Sequence, residues 1–166
     1  MSGTHKKGAM ELSFGMIFSI LLIVFFIGFA FFAISKFING GREVSVSLFV
    51  DDLNNAIDDM WRGTKGATPF SQSLPDKVEA VCFIDFNREA NTREEAYYEF
   101  SLYEDTGWNM FFYPIGSSQV IQGYKFANLN VTSTTARENP YCILNRDGKV
   151  SFSIEKNFGE VQPTIR

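Results

Sequence analysis

The sequence predicts an α+β protein: an N-terminal transmembrane helix and a stem helix, followed by a small, mostly antiparallel β-sheet head. Three observations predict it. A run of 24 residues from Leu12 to Ser35 carries no formal charge. An amphipathic stretch follows over residues 44–62, and short runs rich in Val, Ile, Phe and Tyr, parted by turn residues, fill the remainder. The chain divides accordingly into a basic tip (1–11), a transmembrane helix (12–38), a hinge and amphipathic stem helix (39–62) and an α+β head (63–166).

At about 1.5 Å per residue the apolar run makes a helix of roughly 36 Å, longer than the ~30 Å hydrocarbon core of a bilayer. A buried helix of a soluble protein is rarely apolar on every face for so long. A cleaved secretory signal has an apolar region of only about 7–15 residues and a small-residue cleavage site, whereas this run leads into Ser35-Lys36-Phe37-Ile38. Lys6 and Lys7 precede the span and Lys36 and Arg42 follow it, so the positive-inside count is nearly even. A short basic tip before an apolar run resembles an insertion signal, which places the N-terminus in the cytoplasm and the head outside the cell membrane.

Asn39-Gly40-Gly41 predicts a break, because adjacent glycines are poor helix residues. In the stem, Val46, Phe49, Leu53, Ile57, Met60 and Trp61 form an apolar stripe, opposite Asp51, Asp52, Asn55, Asp58 and Asp59. Residues 63–75, punctuated by Gly and Pro, predict a loop. A strand is expected within 77–86. Asn91 or Thr92 can cap a short helix, Thr92 with Glu95 matching a capping box, and the helix is predicted to run to about Glu104, although Tyr97, Tyr98, Phe100 and Tyr103 also fit a strand. Further strands are expected at 108–113, 124–131 and 141–144. Asp147-Gly148 predicts a tight hairpin turn, Val150 to Ile154 alternate as a half-solvated strand, and a last strand lies near 161–165.

The only two cysteines, Cys82 and Cys142, each sit in an apolar run of the head. Either a disulfide or two buried thiols satisfies that pattern, and exposure to an oxidising exterior favours the disulfide. With His5 alone at the tip, no Cys/His zinc site and no Ser/His or Cys/His nucleophile system can form in the head. No glycine-rich phosphate loop is present. The sequence therefore predicts no enzyme, catalytic residue, metal or cofactor.

From Glu43 onward the chain carries 11 Lys and Arg against 18 Asp and Glu, a net −7. Such a domain repels phosphate backbones, which argues against nucleic acid as a partner. Asp51-Asp52 and Asp58-Asp59 lie seven residues apart, near enough to one helix face for a cation, though a solvated acidic face is the ordinary reading. Asp85, at the end of the first strand, reads as a hydrogen-bonding residue. Asn130-Val131-Thr132 matches the N-glycosylation pattern, making Asn130 a candidate acceptor. Gly15 with Ser19, and Gly28, Ala30 and Ala33, form small-residue patches through which the span could pair with an identical or different membrane partner.

The segment Lys6-Lys7-Gly8-Ala9-Met10-Glu11-Leu12-Ser13 resembles the class III signal of type IV pilins and archaeal pilin-like proteins. The resemblance covers about the first quarter of the chain. It implies that Lys6 and Lys7 are the basic flank, Gly8 precedes the processing cut, Ala9 is the new N-terminus and Glu11 is the family's acidic residue. In the family that glutamate is usually fifth in the mature chain, and Glu11 would be third. A plain signal anchor has the same basic flank. The resulting expectation is a non-enzymatic, single-pass surface protein in the lipid bilayer, a pilin-like structural subunit. The alternative is a membrane-tethered binding or accessory module of a cell-surface complex, using exposed aromatics such as Trp108 or Tyr113.

Overall fold

A computed structural model describes residues 14–119 and 121–166 of the chain, and of these all side chains but those of 14 and 37–43. The fold is α+β. Helix α1 spans Phe14–Arg62, and it is followed by β1 (Gly66–Ser73), β2 (Ala80–Phe83), α2 (Glu94–Ser101), a 3-10 turn (Glu104–Thr106) and β3 (Met110–Tyr113). Then come β4 (Gly123–Tyr124), α3 (Val131–Thr134), β5 (Tyr141–Leu144), β6 (Lys149–Lys156) and β7 (Thr164–Ile165). The chain divides into two units, 1–39 and 40–166.

In the first unit the described residues are helical, and Gly15–Lys36 is long and apolar enough to cross a membrane. The backbone of Asn39-Gly40-Gly41 is helical, where the glycines predicted a break. Two glycines cost a helix only about 1 kcal/mol each relative to alanine, little beside the tertiary packing of the apolar stripe that follows them.

The second unit is built on two antiparallel sheets, ordered β4-β3-β2-β5 and β1-β6-β7. Side chains alternate across a strand, and β2 is buried on both faces. Val81 and Phe83 belong to one apolar cluster with Met110 and Phe112 of β3, and the α1 stripe of Val46, Phe49, Val50, Leu53 and Ile57 packs there. Phe49 meets Phe70 and Phe112 edge-on, with ring centroids 5.5 and 5.7 Å apart. Ala80, Cys82, Ile84 and Phe111 form a second cluster with Ala96 and Phe100 of α2, where Phe100 stacks on Phe111 at 4.7 Å. The four-stranded sheet thus lies between two helices, each supplying one apolar stripe.

Several expectations are corrected. The predicted loop at 63–75 contains β1, paired to β6 over its full length. The strand escapes a hydrophobic pattern because it is an outer strand: only Phe70 is buried, and Pro69 is tolerated there because an edge needs fewer donors. The capping box does not form. Arg93 occupies the cap position with φ 46°, while the Thr92 hydroxyl donates to the Pro140 carbonyl at 3.2 Å. Helix α2 ends at Ser101 rather than Glu104. The expected strand at 124–131 shrinks to the two residues of β4, and Val131 begins α3. There Asn130 accepts the Ser133 N–H at 3.0 Å, and this cap favours a helical turn over a strand.

The turn at Asp147-Gly148 forms as expected, with φ 53° and 75° and reciprocal bonds of 2.9 and 3.0 Å between Arg146 and Lys149. Its two strands then part. β5 joins β2 and β6 joins β1, so the hairpin bridges two sheets.

Candidate functional site

The apolar segment of α1 is the first candidate. Within Gly15–Lys36 the most apolar 18-residue stretch has a mean hydropathy of 3.0, and none of that stretch is buried by the protein itself. The segment's 22 residues span about 33 Å, close to a bilayer's hydrocarbon thickness. Polar side chains within it are satisfied locally: the Ser19 hydroxyl donates to the Gly15 carbonyl at 2.8 Å and Ser35 to Phe31 at 2.9 Å. A Cβ at Gly28 would meet nothing within 4 Å. Lys7, Gly8, Ala9 and Glu11, the residues of the expected processing site, lie outside the described residues.

Cys82 and Cys142 are directly opposite one another in the β2–β5 pair and form a disulfide, with Cα atoms 4.0 Å apart. The bond ties residues 60 apart in sequence.

Asp85 follows β2 and is nearly sealed from solvent, at 3% exposure. Its Oδ1 accepts the Asn87 N–H at 3.0 Å and the Asn87 side-chain amide at 3.1 Å, and its Oδ2 accepts the Thr132 hydroxyl at 2.7 Å. Burial is the largest influence on its pKa and raises it, but the Thr132 and Asn87 donors and the nearby Arg88 charge together outweigh burial, holding the carboxyl below its usual range. At neutral pH it is therefore an ionised acceptor, with no proton to donate. A cavity of about 300 Å³ beside it is also lined by Glu104 and Trp108.

The remaining predicted residues are dispersed. Asp52 accepts from Gln72 at 2.5 Å and Asp58 from Asn128 at 2.8 Å, so these two helix acids hold β1 and the loop after β4 against α1. Among the described residues no cluster of three or more metal-ligating side chains occurs. Asn130 is half-buried and Thr132 is engaged with Asp85. Trp108 and Tyr113, expected as exposed aromatics, are partly buried: Trp108 stacks on Tyr103 at 6.0 Å and Tyr113 meets Phe100 at 6.1 Å. Outside the apolar segment, exposed large apolar side chains include Val44, Leu48 and Trp61 of α1, Tyr98 of α2 and Leu102 just after it, Leu144 of β5, and Phe158 and Val161 between β6 and β7. Sequence reasoning missed Phe158 because a single large apolar residue in a loop carries no periodic signal. Comparison of the chain with models of protein families, with curated proteins and with solved structures finds no match to any of the three.

Proposed function

We propose that the chain is a non-enzymatic, single-pass surface protein, a pilin-like structural subunit anchored by the apolar part of α1. The observation that carries this reading is the wholly exposed helix over Gly15–Lys36: an apolar surface of that length needs lipid or other helices around it. The rest of α1 serves as the stem and the two sheets as the head. The cytoplasmic tip and outward head are supported by the Cys82–Cys142 disulfide, which suits an oxidising exterior. Processing between Gly8 and Ala9 rests on the signal-like sequence alone.

Purification from native membranes, followed by intact-mass measurement and electron microscopy, tests the reading. A mass lacking residues 1–8 together with filaments supports the subunit. Isolated monomers with an intact N-terminus reject it. Protease added to sealed cells should degrade the head, and full protection would reverse the orientation.

A second reading, a membrane-tethered accessory module, is favoured by Phe158 and Val161, exposed on a loop steadied by Asn157 donating to both Glu160 oxygens at 2.9 and 3.2 Å. Membrane complexes of fixed composition, lost in Phe158→Ser, would establish it over the filament.

A further inference from the structure

A cavity of about 550 Å³ opens between β5 and β6, and Arg93, Cys142, Leu144, Arg146, Lys149 and Ser151 are among its walls. Among the described residues no acid lines it, although residues 43–166 carry a net −7. The three cations are exposed, and among the described residues none is in an ion pair.

The slot's two long walls are unfinished strand edges. β5 is the outer strand of its sheet. The Ile84 N–H bonds to Asn109 at 3.1 Å and the Asn145 N–H to Glu79 at 2.8 Å, which sets the alternation of the ladder. Tyr141 and Ile143 therefore direct their peptide groups to β2, while Cys142 and Leu144 direct theirs into the slot. On β6, the Arg146–Lys149 bonds and the reciprocal 2.9 Å bonds of Ser153 with Arg166 set the same alternation, so Ser151 also turns its N–H and C=O inward. The hairpin turn pins the strands together at one end, and pairing of β6 with β1 draws them apart beyond it.

We propose that this slot is a docking site for an extended acidic segment of a partner protein, which adds to β5 as a further strand. Main-chain bonds to Cys142 and Leu144 supply the affinity, and Arg93, Arg146 and Lys149 select carboxylates on alternate positions of the incoming chain. The same cations disfavour a second copy of this chain pairing edge to edge, because two β5 strands would bring like charges together.

The test uses the full chain in detergent micelles. The probe is a blocked peptide of about seven residues alternating Glu and Val, a length typical of a strand. Binding is read by amide chemical shifts and hydrogen exchange. The expected result is shifts and slowed exchange at Cys142, Leu144 and Ser151, with no binding of the matching Lys-Val peptide. Arg146→Glu with Lys149→Glu should weaken binding at least about tenfold, as should Arg93→Glu, which leaves the turn intact. Leu144→Pro removes an outward N–H without touching the β2 ladder and should abolish binding while the thermal transition persists. Failure of the acidic peptide to bind at millimolar concentration overturns the proposal, as does equal binding of the Lys peptide. Unchanged binding by a folded Leu144→Pro chain, or displacement by equimolar inorganic phosphate, also overturns it, since either would mean anion attraction without strand addition.

Discussion

The side-chain amide of Asn139 bonds both peptide groups of Asp85: its Oδ1 accepts the Asp85 N–H at 3.1 Å and its Nδ2 donates to the Asp85 carbonyl at 3.0 Å. In the β2–β5 register Asp85 would face Asn139, but the Asn139 N–H donates to Asn91 Oδ1 at 2.7 Å and its carbonyl accepts the Asn91 N–H at 3.0 Å, so the backbone ladder stops there. The amide takes over as a neighbouring strand would, and it also reaches the Arg88 and Glu89 carbonyls. Asn139 is fully buried, so these groups have no water to fall back on.

Asn139→Ala is therefore expected to cost about 2–4 kcal/mol, the loss of several buried bonds with their partners left unsatisfied. Denaturant unfolding followed by Trp108 fluorescence measures it, and a loss below about 0.5 kcal/mol would contradict the bridging role.

Asp85 makes stability acid-sensitive. Its folded pKa lies below the ordinary value of 3.8, so the ionised form is favoured by folding, and that contribution is complete above the unfolded pKa. As pH falls below about 4 the unfolded chain binds the proton first, and the contribution fades until the folded group is protonated. The stability difference between the wild type and Asp85→Asn should thus be largest near pH 6 and shrink toward pH 3. A difference constant over that range would remove Asp85 as the cause.

Lys156 occupies the inward position after Ile154 on β6, and its ammonium donates to the Trp61 carbonyl at 2.6 Å and the Gly63 carbonyl at 2.8 Å. It closes the C-terminal end of α1, where carbonyls lack helical partners and a positive charge is favoured. Lys156→Met should lower stability by about 1.5–3 kcal/mol, with faster hydrogen exchange in the last turn of α1. Unchanged exchange there would show that the turn is held by other means.

Gly123 on β4 lies under Trp108. A Cβ there would come within 2.5 Å of the indole and 2.8 Å of the Met110 carbonyl. Gly123→Ala should destabilise the fold by about 1–3 kcal/mol and shift the Trp108 emission. An unaltered spectrum and melting curve would mean the strand yields without strain.

Replacing both Cys82 and Cys142 with alanine frees a loop of 60 residues in the unfolded chain. On chain-entropy grounds the loss is about 4 kcal/mol. Equal denaturation midpoints for the oxidised protein and the double variant would show that the bond contributes nothing to folding.

Much of the second unit was legible residue by residue. The spacing of Val46, Phe49, Leu53 and Ile57 marked an amphipathic helix, and those side chains are buried. β5 has the bounds expected, and Asp147-Gly148 made its turn, because these signals are local. β1 was not legible, since its pairing with β6 relies on backbone bonds that any sequence can make. Thr92 and Glu95 matched a capping box that does not form, because Pro140, distant in sequence, competes for the threonine hydroxyl.

By itself the sequence determined a charge-free helix, an amphipathic continuation and several apolar strands, since length, charge and periodicity are properties of short segments. Only the tertiary structure decided that the β5–β6 hairpin joins two sheets, that Asn139 finishes the ladder at Asp85, and that Arg93 comes to line a slot with Arg146 and Lys149. Each depends on contacts between residues far apart in the chain, which the packing of α1 and α2 on opposite faces of one sheet brings together.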